Sequence, residues 1–124
     1  MVWQGYESAS TTLPIQKVIS YIRQHYAERL SVSALARRFH FSPDYLTRLM
    51  KQTTGLAPSM LIVQYRMNKA KHLLVHTNDS IQQISLETGY SDIAVFSRTF
   101  KKHTGQSPRM FRHEQWGLDV QGRA

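Results

Sequence analysis

The sequence contains no cysteine. Disulfide staples, thiol nucleophiles and thiolate zinc sites are excluded, which fits a reducing compartment. Acid is scarce as well: 8 Asp and Glu stand against 16 Lys and Arg over 124 residues, a formal charge of +8. No stretch approaches the ~18 apolar residues that cross a bilayer. The opening Met1-Val2-Trp3-Gln4-Gly5-Tyr6-Glu7 has neither the basic end nor the apolar run of a signal peptide. No glycine-rich phosphate loop is present, and no Ser-His-Asp arrangement can be argued from the spacings.

What remains is a chain that is 41% apolar and 10% aromatic, enough to build a core in one domain or two very small ones. Its pI of about 10.1 favours a polyanionic partner, nucleic acid ahead of an anionic membrane. The charge is unevenly spread. Between Arg29 and Asn78 eight basic residues face a single acid, Asp44. A second basic group, Arg98, Lys101, Lys102, Arg109 and Arg112, lies between Asp92 and Glu114.

Residues 1–12 are polar and aperiodic and read as a tail or interdomain linker. Pro14 suits a first helical position, and Ile15, Val18, Ile19, Ile22 and Tyr26 form one apolar stripe behind it. Ser31 is an N-cap for a short helix carrying Val32, Leu35, Ala36 and Phe39. Ser42-Pro43-Asp44 combines a capping hydroxyl, a first-turn proline and an acid at the positive helix end. The helix it opens is expected to turn Tyr45, Leu46, Leu49 and Met50 inward and to end near Thr54-Gly55. Two short helices so tightly joined, over about 32–54, read as a helix-turn-helix. Pro58 opens a long helix to about Thr77, with Met60, Val63, Met67, Ala70 and Leu74 as its core stripe and Leu61 and Leu73 broadening it.

The pattern then returns. Ser80, Ile81, Ile84, Tyr90 and Ser91 repeat Ser31, Val32, Leu35, Phe41 and Ser42 at an offset of 49. After one extra residue the offset is 50: Phe96, Arg98, Phe100, Lys101, Gly105 and Pro108 repeat Leu46, Arg48, Met50, Lys51, Gly55 and Pro58. An internal duplication this regular predicts an all-α fold of about seven helices. Two helix-turn-helix units, the second over about 81–104, are joined by one linker helix, and a C-terminal tail covers 114–124.

With these residues in place the chain resembles the DNA-binding domain of the AraC/XylS family of bacterial transcription regulators. The resemblance rests on Gly89-Tyr90-Ser91-Asp92, Phe96-Ser97-Arg98-Thr99-Phe100-Lys101-Lys102, Gly105-Gln106-Ser107-Pro108 and Phe111-Arg112. In the linker helix it is carried by Tyr65-Arg66, Ala70 and Leu73-Leu74, and it covers about Leu13 to His113. One position departs: His40 stands in the first repeat where Gly89 stands in the second. A left-handed backbone there costs a non-glycine residue roughly 1–2 kcal/mol, and histidine is among those that tolerate it. A strained but intact turn is expected.

The resemblance implies a sequence-specific DNA-binding regulator, not an enzyme, with no cofactor and no metal. Base contacts are expected from Asp44, Thr47 and Arg48 in the first unit and from Ile93, Ala94, Ser97 and Arg98 in the second. Phosphate contacts are expected from Ser42, Lys51, Ser91, Lys101 and Lys102. Arg48 can fork onto a guanine O6/N7 edge, and Thr47 can touch a thymine methyl or donate a hydrogen bond. Arg98 reads equally as a base contact or as a group that holds the helix or a phosphate. Since Ile93 and Ala94 cannot hydrogen-bond a base, the first unit is expected to carry most of the sequence information. A ~30 Å linker helix compares with the ~34–36 Å between successive major-groove faces. One monomer is therefore expected to reach two adjacent grooves of an asymmetric promoter site.

Other readings compete. A protein-interaction module recruiting RNA polymerase, with only nonspecific DNA affinity, is the main alternative, and a membrane-surface helix ranks last because the apolar faces are committed to two cores. His72 and His76 stand at i and i+4, a spacing that can ligate metal, but the glutamate of a metalloprotease motif is absent and a flank of two half-exposed histidines fits better. Trp116 either packs on the last helix or meets a partner. RNA polymerase and an N-terminal effector or dimerisation domain are expected partners, no membrane is, and the expected location is the bacterial cytoplasm at the nucleoid.

Overall fold

The computed structural model describes the backbone of residues 2–117 and the side chains of residues 14–117. Among these there are seven helices and no strand: α1 (Val2–His25), α2 (Val32–Arg38), α3 (Pro43–Thr54), α4 (Pro58–His76), α5 (Ile81–Glu87), α6 (Ile93–Thr104) and α7 (Pro108–Gln115). They fold as two compact units that part between Gln64 and Tyr65, within α4.

The helix starts are chemically defined. Ser31, Ser42, Ser80 and Ser107 each accept a hydrogen bond on the side-chain oxygen from the backbone N–H three residues on, at 3.0–3.2 Å. Each satisfies a donor that the first helical turn leaves unpaired. The helices α3 and α6 end alike, on Gly55 (φ 81°) and Gly105 (φ 88°) in the left-handed region that glycine enters without cost.

In the first unit Ile15, Val18 and Ile22 of α1 are buried, with Leu35 and Ala36 of α2, Leu46 and Met50 of α3, and Leu61 and Ile62 of α4. The second unit buries Met67, Ala70, Leu73 and Leu74 of α4, Ile84 of α5 and Phe96 and Phe100 of α6. Aromatic rings fill this second core. Phe96 lies 5.6 Å from Tyr90 and 6.0 Å from Phe100, and Phe111 meets Phe100 edge-on at 5.4 Å, an arrangement favoured by the ring quadrupole.

Several expectations are corrected. The helix α1 begins at Val2, so Pro14 lies inside it and residues 2–12 are helical in backbone. Proline's own φ is helical and costs one hydrogen bond with a residue a turn earlier. No glycine or second proline stands between Glu7 and Leu13 to stop the helix. The linker reading of residues 1–12 rests on side chains outside the described residues. Met60 is 49% exposed and Ile62 is buried in its stead, while Leu61, Met67, Ala70, Leu73 and Leu74 are buried as expected. At the other end α7 runs through Gln115, two residues into the stretch 114–124 expected as a tail. Residues 118–124 lie outside the described residues.

Candidate nucleic-acid interface

Each unit presents one helix across a tight turn from a shorter one. In the first turn the His40 N–H donates to Arg37 O at 3.4 Å and the Phe41 N–H to Ala36 O at 2.8 Å. In the second, the Gly89 N–H donates to Leu86 O at 3.1 Å and the Tyr90 N–H to Ser85 O at 2.9 Å. This paired closure requires a left-handed residue just past the helix end. Gly89 supplies it at φ 102° and His40 at φ 65°, the one non-glycine residue with positive φ among the described residues. The strained histidine turn expected from the sequence is present, and the helix-turn-helix closes around it.

On α3, Asp44, Arg48 and Lys51 are exposed, and Thr47 is half-buried. The Thr47 hydroxyl donates to Pro43 O at 2.9 Å. Its hydrogen is thereby engaged within the helix, which leaves the methyl group and the acceptor lone pairs of the oxygen. Ser42 spends its oxygen on the Tyr45 N–H while its own hydroxyl hydrogen stays available to a phosphate. Tyr45 does not turn inward as expected. It is 41% exposed, with its ring 5.9 Å from Phe41 and the Arg48 guanidinium 5.5 Å from its centroid. The buried stripe of α3 is Leu46 and Met50, at i and i+4, with Leu49 half-buried, and Tyr45 falls at its edge.

On α6, Ile93 (42% exposed), Ala94, Arg98, Lys101 and Lys102 are exposed and Ser97 is half-buried. The Arg98 side chain makes no hydrogen bond, ion pair or ring contact among the described residues. Ser91, expected to repeat the Ser42 cap, does not. The N-cap is Asp92, whose Oδ1 accepts from the Ala94 N–H at 2.8 Å. Counting back four residues from the buried Phe96 and Leu46 pairs Asp92 with Ser42, so Ser91 is the extra residue of the second repeat and sits in the turn.

Not every basic residue is free to meet a polyanion. Arg112 donates from Nε to Leu74 O at 2.9 Å and from Nη2 to Thr77 O at 3.1 Å, and lies 5.0 Å from the Trp116 ring. Burial pushes its guanidinium below the usual arginine range, while the Asp79 carboxylate acts in the opposite sense. Trp116 donates from Nε1 to Val75 O at 2.9 Å. Both side chains thus serve carbonyls at the C-terminal end of α4 that the helix leaves unpaired. The sequence counted Arg112 with the basic face and left Trp116 between packing on the last helix and meeting a partner; its indole hydrogen-bonds the end of α4 and is 40% exposed. Arg38 lies over the Tyr21 ring at 4.4 Å and Arg66 over the Tyr90 ring at 5.0 Å, as Arg48 does over Tyr45, contacts that leave the charge in place. His72 and His76 stand with ring centroids 4.5 Å apart, and no group of three metal-ligating side chains exists among the described residues.

Comparison with known proteins agrees with this geometry. A family model for a helix-turn-helix domain of the AraC/XylS type matches residues 35–114. The transcriptional activator RhaS of Escherichia fergusonii is 38% identical over 103 residues, which are 83% of this chain and 37% of that protein. The C-terminal domain of AraT, a response regulator from Geobacillus stearothermophilus, superposes with a TM-score of 0.79 at 33% identity, covering 82% of this chain and 84% of that one. The DNA-binding domain of AdpA, solved in complex with a target DNA, gives a TM-score of 0.80 at 25% identity over 88% of this chain and 98% of that one. The chain belongs to the AraC/XylS family of transcription regulators, which are not enzymes, and carries the family's DNA-binding domain. It spans less than two fifths of the length of the RhaS relative it matches.

Proposed function

We propose that this chain binds double-stranded DNA sequence-specifically and regulates transcription, one copy placing α3 and α6 in adjacent major grooves of an asymmetric promoter site. The observation that carries the reading is the pair of helix-turn-helix units whose exposed helix faces differ in chemistry. On α3 the face is polar and charged: Asp44 can accept from cytosine N4, Arg48 can fork onto guanine, and the Thr47 methyl can meet thymine. On α6, Ile93 and Ala94 reward thymine methyls, Ser97 and Arg98 add polar contacts, and Lys101 and Lys102 hold phosphates beside Ser91, as Lys51 and Ser42 do on the first unit. Two unlike reading heads define a site without two-fold symmetry. RNA polymerase, and an effector or dimerisation domain elsewhere in a longer protein, are the partners this role calls for, at the bacterial nucleoid.

Selection of bound duplexes from a random pool near physiological salt tests the reading. The expected result is one asymmetric site with two short boxes about 10 bp apart. The box bound by α3 should show the sharper base preference. Absence of enrichment, with binding that vanishes as salt rises, would leave only nonspecific phosphate contact and overturn the proposal.

A further inference from the structure

Tyr45 has no part in the base-reading set that the resemblance supplies, yet it is the largest exposed side chain in the first turn of α3. It stands three residues before Arg48, on the same side of the helix, where i and i+3 side chains meet. The Arg48 guanidinium lies 5.5 Å from its ring centroid, within the range of a cation–π contact. No carboxylate lies within ion-pair distance of Arg48 among the described residues, although Asp44 is one turn away. The ring is itself fixed against Phe41 at 5.9 Å. A flexible arginine is thus held at its face and keeps its in-plane N–H donors unspent.

The second unit omits this arrangement. Counting from the helix caps, Tyr45 corresponds to Val95 and Arg48 to Arg98, and Arg98 has neither ring nor ion partner among the described residues. Val95 is exposed to nearly the same degree, 39% against 41%, so the fold accepts an aliphatic side chain at this position. The two arginines therefore differ in restraint rather than in reach.

We infer that Tyr45 is a specificity-positioning residue, which pre-orders the Arg48 guanidinium for bidentate readout of one guanine and so sharpens the first unit over the second. The inference rests on the proposed role of Arg48 as a base reader. Pre-ordering favours the site by reducing the side-chain freedom lost on binding.

The test is a set of variants, each checked for unchanged thermal unfolding, with affinity measured for the selected site, the same site with that guanine replaced, and unrelated duplex. Tyr45→Phe keeps the ring and should retain full discrimination. Tyr45→Leu should lose about two- to fivefold in guanine preference, the size of an exposed cation–π contact, with affinity for unrelated duplex unchanged. In an Arg48→Ala background Tyr45→Leu should change nothing further. An equal loss for Tyr45→Leu with or without Arg48 would mean the tyrosine touches DNA itself, and would overturn the positioning role. Full discrimination in Tyr45→Leu would overturn it too. Guanine preference that survives Arg48→Ala would instead sink the underlying assignment of Arg48.

Discussion

His40 and Gly89 occupy one place in two copies of the same turn, and their backbones differ: φ is 65° at the histidine and 102° at the glycine. The first value lies at the centre of the small left-handed basin, where an L-residue costs roughly 1–2 kcal/mol; the second lies well beyond it. Gly89→Ala should accordingly lower stability by at least about 1–2 kcal/mol. His40→Gly should raise it by between about 0 and 1.6 kcal/mol, because relief of the roughly 1–2 kcal/mol of strain is partly offset by the roughly 0.4–1 kcal/mol of freedom a glycine adds to the unfolded chain. Urea unfolding of both variants checks the pair, and a large loss in His40→Gly would show that the imidazole itself holds the turn. This contrast was legible before any coordinates, since it needs only the duplication and the cost of a Cβ at positive φ. The orientation of Tyr45 was not. A helical stripe assigns a residue at its edge to either side, and Tyr45 lies on the outer one, its ring against Phe41 of the preceding turn and Arg48 of α3.

At the scale of the helix, the starts at Ser31, Ser42 and Ser80 were readable from a serine oxygen placed to accept from the first turn, whereas the Ser107 cap of α7 was not read. The sequence offset misled once, at Asp92, because an inserted residue shifts the cap while leaving a serine in the apparent position. Long-range service to a helix end was invisible. Arg112 reaches α4 across 38 residues of sequence, and no periodicity in α7 records it. Replacing Arg112 with Met keeps most of the stem and removes two charge-assisted hydrogen bonds, each worth about 1.5–3 kcal/mol. Thermal unfolding should show a loss of up to roughly 3–6 kcal/mol on that basis, and Arg112→Lys should recover only part of it, since a point-charge ammonium cannot match the fork. A DNA-affinity loss without a stability loss would place Arg112 back among the phosphate contacts.

For the molecule as a whole, the formal charge of +8 overstates what is available to DNA. Arg112 is committed to α4 by its hydrogen bonds to Leu74 O and Thr77 O. By contrast, Lys51, Lys101 and Lys102 are exposed on α3 and α6. Lys101→Ala should weaken binding to all duplexes alike and shallow the dependence of log K on log salt by about one unit. A sequence-dependent loss would make Lys101 a base contact instead. Fold class, helix order and the two reading helices followed from the duplication; the division of the cations into structural and available ones did not, because it depends on contacts between elements distant in sequence.

The hydrogen bond from Trp116 Nε1 to Val75 O gives the second unit a built-in optical probe. The chain has two tryptophans, so a Trp3→Phe variant would emit from this indole alone. Its emission should shift to the red when α7 leaves the end of α4, and it carries no direct signal from the first unit. Paired with circular dichroism, which follows all the helices together, the emission would show whether the two reading heads melt in one step or in succession. A separate melting of the second unit would make the groove contact proposed for it switchable by temperature while the first unit stays folded.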